Sequence, residues 1–138
     1  MSITVRPEIS AKNKYSIDRH RYYELKHFCL QYPTWKRAYA ALDGLSRRPE
    51  DLNLFSTNKI GNPTERCAMA RVTFANRMDI IYQTSMETDP VLGEYILKGV
   101  TEGYSYDYLK TKLNIPCCRE TYYNLYRRFF WLLNQARN

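Results

Sequence analysis

The sequence predicts an all-α protein, a helical bundle ending in a helix-turn-helix, and three observations carry that prediction. Apolar residues recur at three- and four-residue spacing along most of the 138 residues, which is the period of a helix face and not of a strand. Two start signals, Asn62-Pro63-Thr64-Glu65 and Asp89-Pro90, place a capping side chain directly before a proline, the residue best tolerated in a helix's first turn. No segment shows a convincing strand pattern.

Taken in order, residues 1–15 are polar and basic and read as a flexible basic arm. Asp18 or Ser16 then caps a helix reaching about Tyr32, with Tyr22, Leu25, Cys29 and Tyr32 on one face. Pro33 ends it, and Thr34 starts a second helix that turns Trp35, Ala38, Tyr39 and Leu42 inward and closes near Gly44. Residues 16–46 are therefore expected to form a helical hairpin. The stretch 47–62 contains Pro49, Gly61 and several polar residues, so it reads as a loop and the best hinge candidate. The helix opened by Pro63 runs to about Met86 with Cys67, Ala70, Phe74, Met78 and Ile81 as its stripe. Beyond Asp89-Pro90, Leu92, Tyr95, Ile96, Gly99 and Val100 form the next inward face. Residues 63–138 thus divide into a helical spacer and the helix-turn-helix.

That last motif is the most informative part of the chain. In Glu102-Gly103-Tyr104-Ser105 the glycine ends one helix and Ser105 caps the next. Tyr106, Leu109 and Leu113 fall at one-turn spacing, and Asn114-Ile115-Pro116 then breaks the short helix. From Cys117 onward Tyr122, Tyr126, Phe129 and Leu133 make an apolar face. Glu120, Asn124, Arg127 and Trp131 lie opposite, with Arg119 and Tyr123 on the flank. A short helix, a tight turn and a longer helix with a polar, cationic outer face is what major-groove reading requires.

Charge agrees with a polyanionic partner. The net charge is +7, unevenly spread. Residues 1–48 hold ten basic against four acidic side chains, 49–103 five against eight, and 104–138 six against two. The last segment also carries nine aromatic residues. Two basic zones around an acidic middle suit nucleic acid, and Tyr and Arg enrichment also suits a protein interface.

Other classes are not expected. No run of 18 apolar residues is present, and Met1–Lys14 lacks the apolar centre of a secretory signal. Four cysteines, two of them adjacent at Cys117-Cys118, then fit reduced thiols in a cytosolic protein. His20 and His27 are the only histidines, and no nucleophile setting or phosphate-binding loop accompanies them. No enzyme, metal site or cofactor is expected.

The segments Val100-Thr101-Glu102-Gly103-Tyr104-Ser105-Tyr106-Asp107-Tyr108-Leu109, Leu113-Asn114-Ile115-Pro116 and Arg119-Glu120-Thr121-Tyr122-Tyr123 resemble the C-terminal half of phage late-transcription regulators of the ArpU and RinA type. Those proteins are in turn similar to region 4 of bacterial sigma factors, and the resemblance covers roughly residues 62–138. It implies a double-stranded DNA partner, RNA polymerase or another host protein beside it, and no membrane. The DNA-binding set expected is Ser105, Lys110, Lys112, Arg119, Glu120, Thr121, Tyr123, Asn124, Arg127 and Arg128. Lys110, Lys112 and the arm would hold phosphates, and Arg119, Glu120, Tyr123 and Asn124 would face base edges. Trp131, costly to expose, either packs on the N-terminal helices or meets a second copy in a homodimer. The alternative is a small phage-encoded protein that uses the same surface to inhibit a host nucleic-acid enzyme, as an anti-CRISPR does.

Overall fold

The computed structural model describes residues 14–42 and 63–137. The arm before Lys14, Gly44, the 47–62 loop and the Asn62 cap lie outside the described residues. Six helices and no strand occur among the described residues, so the protein is all-α. They are α1 (Arg19–Leu30), α2 (Tyr32–Ala41), α3 (Pro63–Thr88), α4 (Gly93–Glu102), α5 (Tyr106–Leu113) and α6 (Arg119–Ala136).

The chain forms two compact units, one drawn from Met1–Leu30 with Ile80–Asn138 and the other from Gln31–Asp79. The division runs at Gln31 and inside α3, so α1 and α2 fall in different units. In the Gln31–Asp79 unit, Trp35, Ala38, Leu42, Cys67 and Phe74 are buried. Guanidinium groups cover its aromatic rings, Arg71 over Tyr39 at 4.4 Å and Arg77 over Trp35 at 5.6 Å. Here the structure corrects the sequence reading. Tyr32 and Pro33 begin α2 instead of ending α1, and Gln31 alone separates the two helices. Proline lacks an N–H, but a helix's first turn has no partner for that N–H, so Pro33 opens the helix without cost.

The larger unit is built on α1, α4 and α6, each packed on the other two, with α5 against α4. Asp18 caps α1, its Oδ2 accepting from the backbone N–H of His20 and Arg21 at 3.1 and 3.3 Å. Tyr22, Leu25, Phe28 and Cys29 are buried on its inner side. The Asp89-Pro90 signal forms a turn, in which Asp89 Oδ1 accepts from Val91 and Leu92 N–H. Regular α4 begins only at Gly93. The inward residues Leu92, Ile96, Gly99 and Val100 are buried as expected, while Tyr95 is half-buried.

The last turns of α3 differ from the predicted stripe. Thr84, Ser85 and Thr88 join Ile81 in the interior. Their hydroxyls donate to carbonyls one turn back, at 2.7 Å in each case, to Ile80, Tyr82 and Thr84. A hydroxyl that satisfies itself on its own helix can be buried without a cross-helix partner. The inner face of α6 holds Tyr122, Phe129, Phe130 and Leu133. Tyr126, expected inside, is half-buried and shares a 2.7 Å hydrogen bond between its hydroxyl and that of Tyr22.

Candidate nucleic-acid interface

The site begins at the end of α4. Gly103 has a φ of +76°, the left-handed conformation that closes helices and strains any residue with a Cβ. Two residues later the Ser105 hydroxyl accepts from the N–H of Tyr108 at 3.2 Å and caps α5. Asn114 ends α5 in the left-handed region at φ +54°, one of the few non-glycine residues that tolerates it. The chain then sends Ile115 into the core, where it is fully buried. Tyr106, also buried, donates its hydroxyl to the Cys117 carbonyl at 2.6 Å. That bond ties the start of α5 to the turn leading into α6, so the two helices hold a fixed relation through the segment 114–118.

On this frame the predicted contact residues divide into two sets. Lys110, Lys112, Glu120, Thr121 and Asn124 are exposed, as is Ser105 beside its cap. Tyr123, Arg127 and Arg128 are half-buried and already engaged. The Tyr123 ring meets those of Tyr122 and Tyr126 edge-on at 5.1 and 5.9 Å. Arg127 donates to Asn124 Oδ1 at 3.0 Å. Arg128 donates to the Tyr15 hydroxyl at 3.3 Å, which holds that phenol below its ordinary range. Tyr15 also covers Trp131, ring centroids 5.5 Å apart. Trp131 thus has a ring partner within its own chain, in the segment ahead of α1.

Arg119 is exposed and forms an ion pair with Asp107 of α5. Its guanidinium lies over the Tyr106 ring, 5.2 Å from the centroid. Asp107 is not among the residues that the sequence pattern singles out. The two residues are twelve apart and meet only because the turn folds α6 back toward the start of α5, a placement with no local signal. Tyr15 escaped notice for the same reason.

The adjacent cysteines sit at the head of α6 in unlike settings. Cys118 Sγ lies 3.2 Å from the Thr121 hydroxyl, and that hydrogen bond lowers its thiol from the ordinary value. Burial raises the half-buried Cys117 thiol, and the neighbouring Cys118 adds to the rise. Cys29 and Cys67 are buried. A lower pKa leaves more thiolate at a given pH, and thiolate is the reacting form. Iodoacetamide titrated upward in pH should therefore label Cys118 first and Cys117 only at higher pH. Peptide mapping that found both labelled together would contradict the assignment.

Among the described residues, no helix is long and apolar enough to cross a membrane, and no three His, Cys, Asp or Glu side chains gather in a way that could hold a metal ion. No protein-family model, curated protein or solved structure matches this chain.

Proposed function

We propose that the protein is a sequence-specific double-stranded DNA-binding regulator of transcription, of the phage or prophage kind that the ArpU and RinA resemblance implies. In this reading α5 and α6 act as a helix-turn-helix inside a bacterial cell, and the start of α6 enters the major groove. The observation that carries it is the pairing of two exposed sets. Glu120, Thr121 and Asn124 line the outer side of the first turns of α6, and Lys110 and Lys112 are exposed at the end of α5. The opposite side of α6 is committed to the core through Tyr122, Phe129, Phe130 and Leu133. The helix can therefore present its polar edge to a partner without repacking. Lysines on the supporting helix suit phosphates, which fix register, while Asn and Arg on the leading turns suit base edges. Two copies on paired half-sites would be the working assembly, with RNA polymerase as a neighbour.

The test is selection of bound sequences from a random duplex pool, followed by affinity measurements across salt. A recovered motif and a steep salt slope support the proposal. Arg119→Ala should reduce discrimination at one base pair about tenfold. Lys110→Ala should weaken every duplex alike and lower the salt slope by about one unit. No duplex binding at low salt would overturn the DNA reading in favour of a surface that inhibits a host nucleic-acid enzyme by protein contact.

A further inference from the structure

We infer that Asp107 is a positioning residue for base reading, aiming the Arg119 guanidinium from the opposite helix. The inference rests on the DNA reading above and adds a residue to it that charge alone would argue against. Residues 104–138 contain only two acidic side chains, Asp107 and Glu120, among six basic ones. An exposed carboxylate beside a phosphate backbone repels it, so Asp107 weakens binding unless it does something else there. The geometry supplies that role. Arg119 Nη2 donates to Asp107 Oδ1, and this is the hydrogen bond its side chain makes among the described residues.

The carbon of the same guanidinium sits over the Tyr106 ring, 5.2 Å from its centroid. That ring is a fixed platform, since Tyr106 is buried and its hydroxyl is bound to the Cys117 carbonyl. A charge contact at one end and an aromatic ring beneath the group restrict where the fork can point. The side chain nevertheless remains 49% exposed, so donors are left to face outward. A guanidinium reads guanine through two parallel N–H groups, a geometry sensitive to the plane of the fork. An isolated surface ion pair fixes little. This one works with the ring beneath it, and its value to the protein is orientation.

Asp107→Asn keeps the shape and removes the charge. In the free protein, nitrogen relaxation of the Arg119 Nε–H should report a restrained group in the wild type and a mobile one in Asp107→Asn. On DNA, Asp107→Asn should cut discrimination at the base pair relaxed by Arg119→Ala by about threefold, while affinity for random duplex stays level or rises. In an Arg119→Ala background the same substitution should leave discrimination unchanged. If Asp107→Asn tightens binding to every duplex equally and keeps discrimination intact, Asp107 is only a counter-charge and the inference fails. An Nε–H equally mobile in wild type and variant sinks it independently of any DNA. A wild type without sequence preference overturns the DNA reading itself, and is seen before any variant is compared.

Discussion

Phe129→Ala is expected to lower the free energy of unfolding by about 3–5 kcal/mol, the usual range for emptying a phenylalanine site in a core. The side chain is fully buried and meets Phe130 edge-on with ring centroids 5.0 Å apart. Phe130 in turn makes edge contacts with Tyr22 of α1 at 5.1 Å and with Tyr126 at 4.9 Å. Edge-to-face rings add to what area alone contributes, and here they link successive turns of α6 to α1. Removing one ring leaves a void among rigid neighbours that cannot collapse into it, so the transfer loss and the cavity cost both apply. Against a total stability of about 5–15 kcal/mol for a domain this size, the loss is large. Urea unfolding followed by helical circular dichroism gives the number. A change under about 1 kcal/mol would mean the surroundings of Phe129 are not a packed core.

The helices were legible because their signals are local. Asp18 and Ser105 are short acceptors placed directly before apolar periodicity, and both cap in the structure. Gly103 and Asn114 stand where a chain must enter the left-handed region, and both do so. What stayed hidden depends on residues far apart in sequence. Asp107 with Arg119, Tyr15 with Trp131, and Tyr22 with Tyr126 are tertiary pairs that no spacing rule announces. Thr84, Ser85 and Thr88 were hidden in another way. A periodicity count scores them as polar and therefore outside, yet each hydroxyl is satisfied by its own helix and its remaining atoms can be buried. Of the proposed site, the capped entry, the turn and the polar edge of α6 could be read in advance. The restraint on Arg119 could not.

Gly99→Ala should destabilise the protein, against the ordinary tendency of that substitution in a helix. In an exposed helix interior, alanine is favoured over glycine by about 0.5–1 kcal/mol. At Gly99, in the middle of α4, an added Cβ would collide with the Tyr122 hydroxyl, with Leu109 Cδ1 and Tyr122 Cζ both at 3.5 Å. The glycine is thus where α5 and α6 converge on α4, and its missing side chain is the space the tyrosine hydroxyl fills. Tyr122 is almost fully buried and its ring is flanked by those of Tyr106, Tyr123 and Tyr126, so it has little room to retreat. Overpacking of this kind costs about 1–3 kcal/mol, and a net loss of about 1 kcal/mol is expected once the helix preference is set against it. Because only the hydroxyl is in the way, Tyr122→Phe should relieve it. The double variant Gly99→Ala/Tyr122→Phe should recover most of the loss relative to Tyr122→Phe alone, a coupling that a double-mutant cycle measures directly. Equal destabilisation by Gly99→Ala with and without the hydroxyl would place the clash elsewhere. The consequence reaches the proposed interface, since Tyr122 lies in the first turn of α6 beside Glu120 and Thr121. Pushing it outward would tilt the end of the helix that carries Arg119, so on the proposed DNA reading Gly99→Ala should also weaken sequence discrimination, and Tyr122→Phe should restore it in parallel with stability.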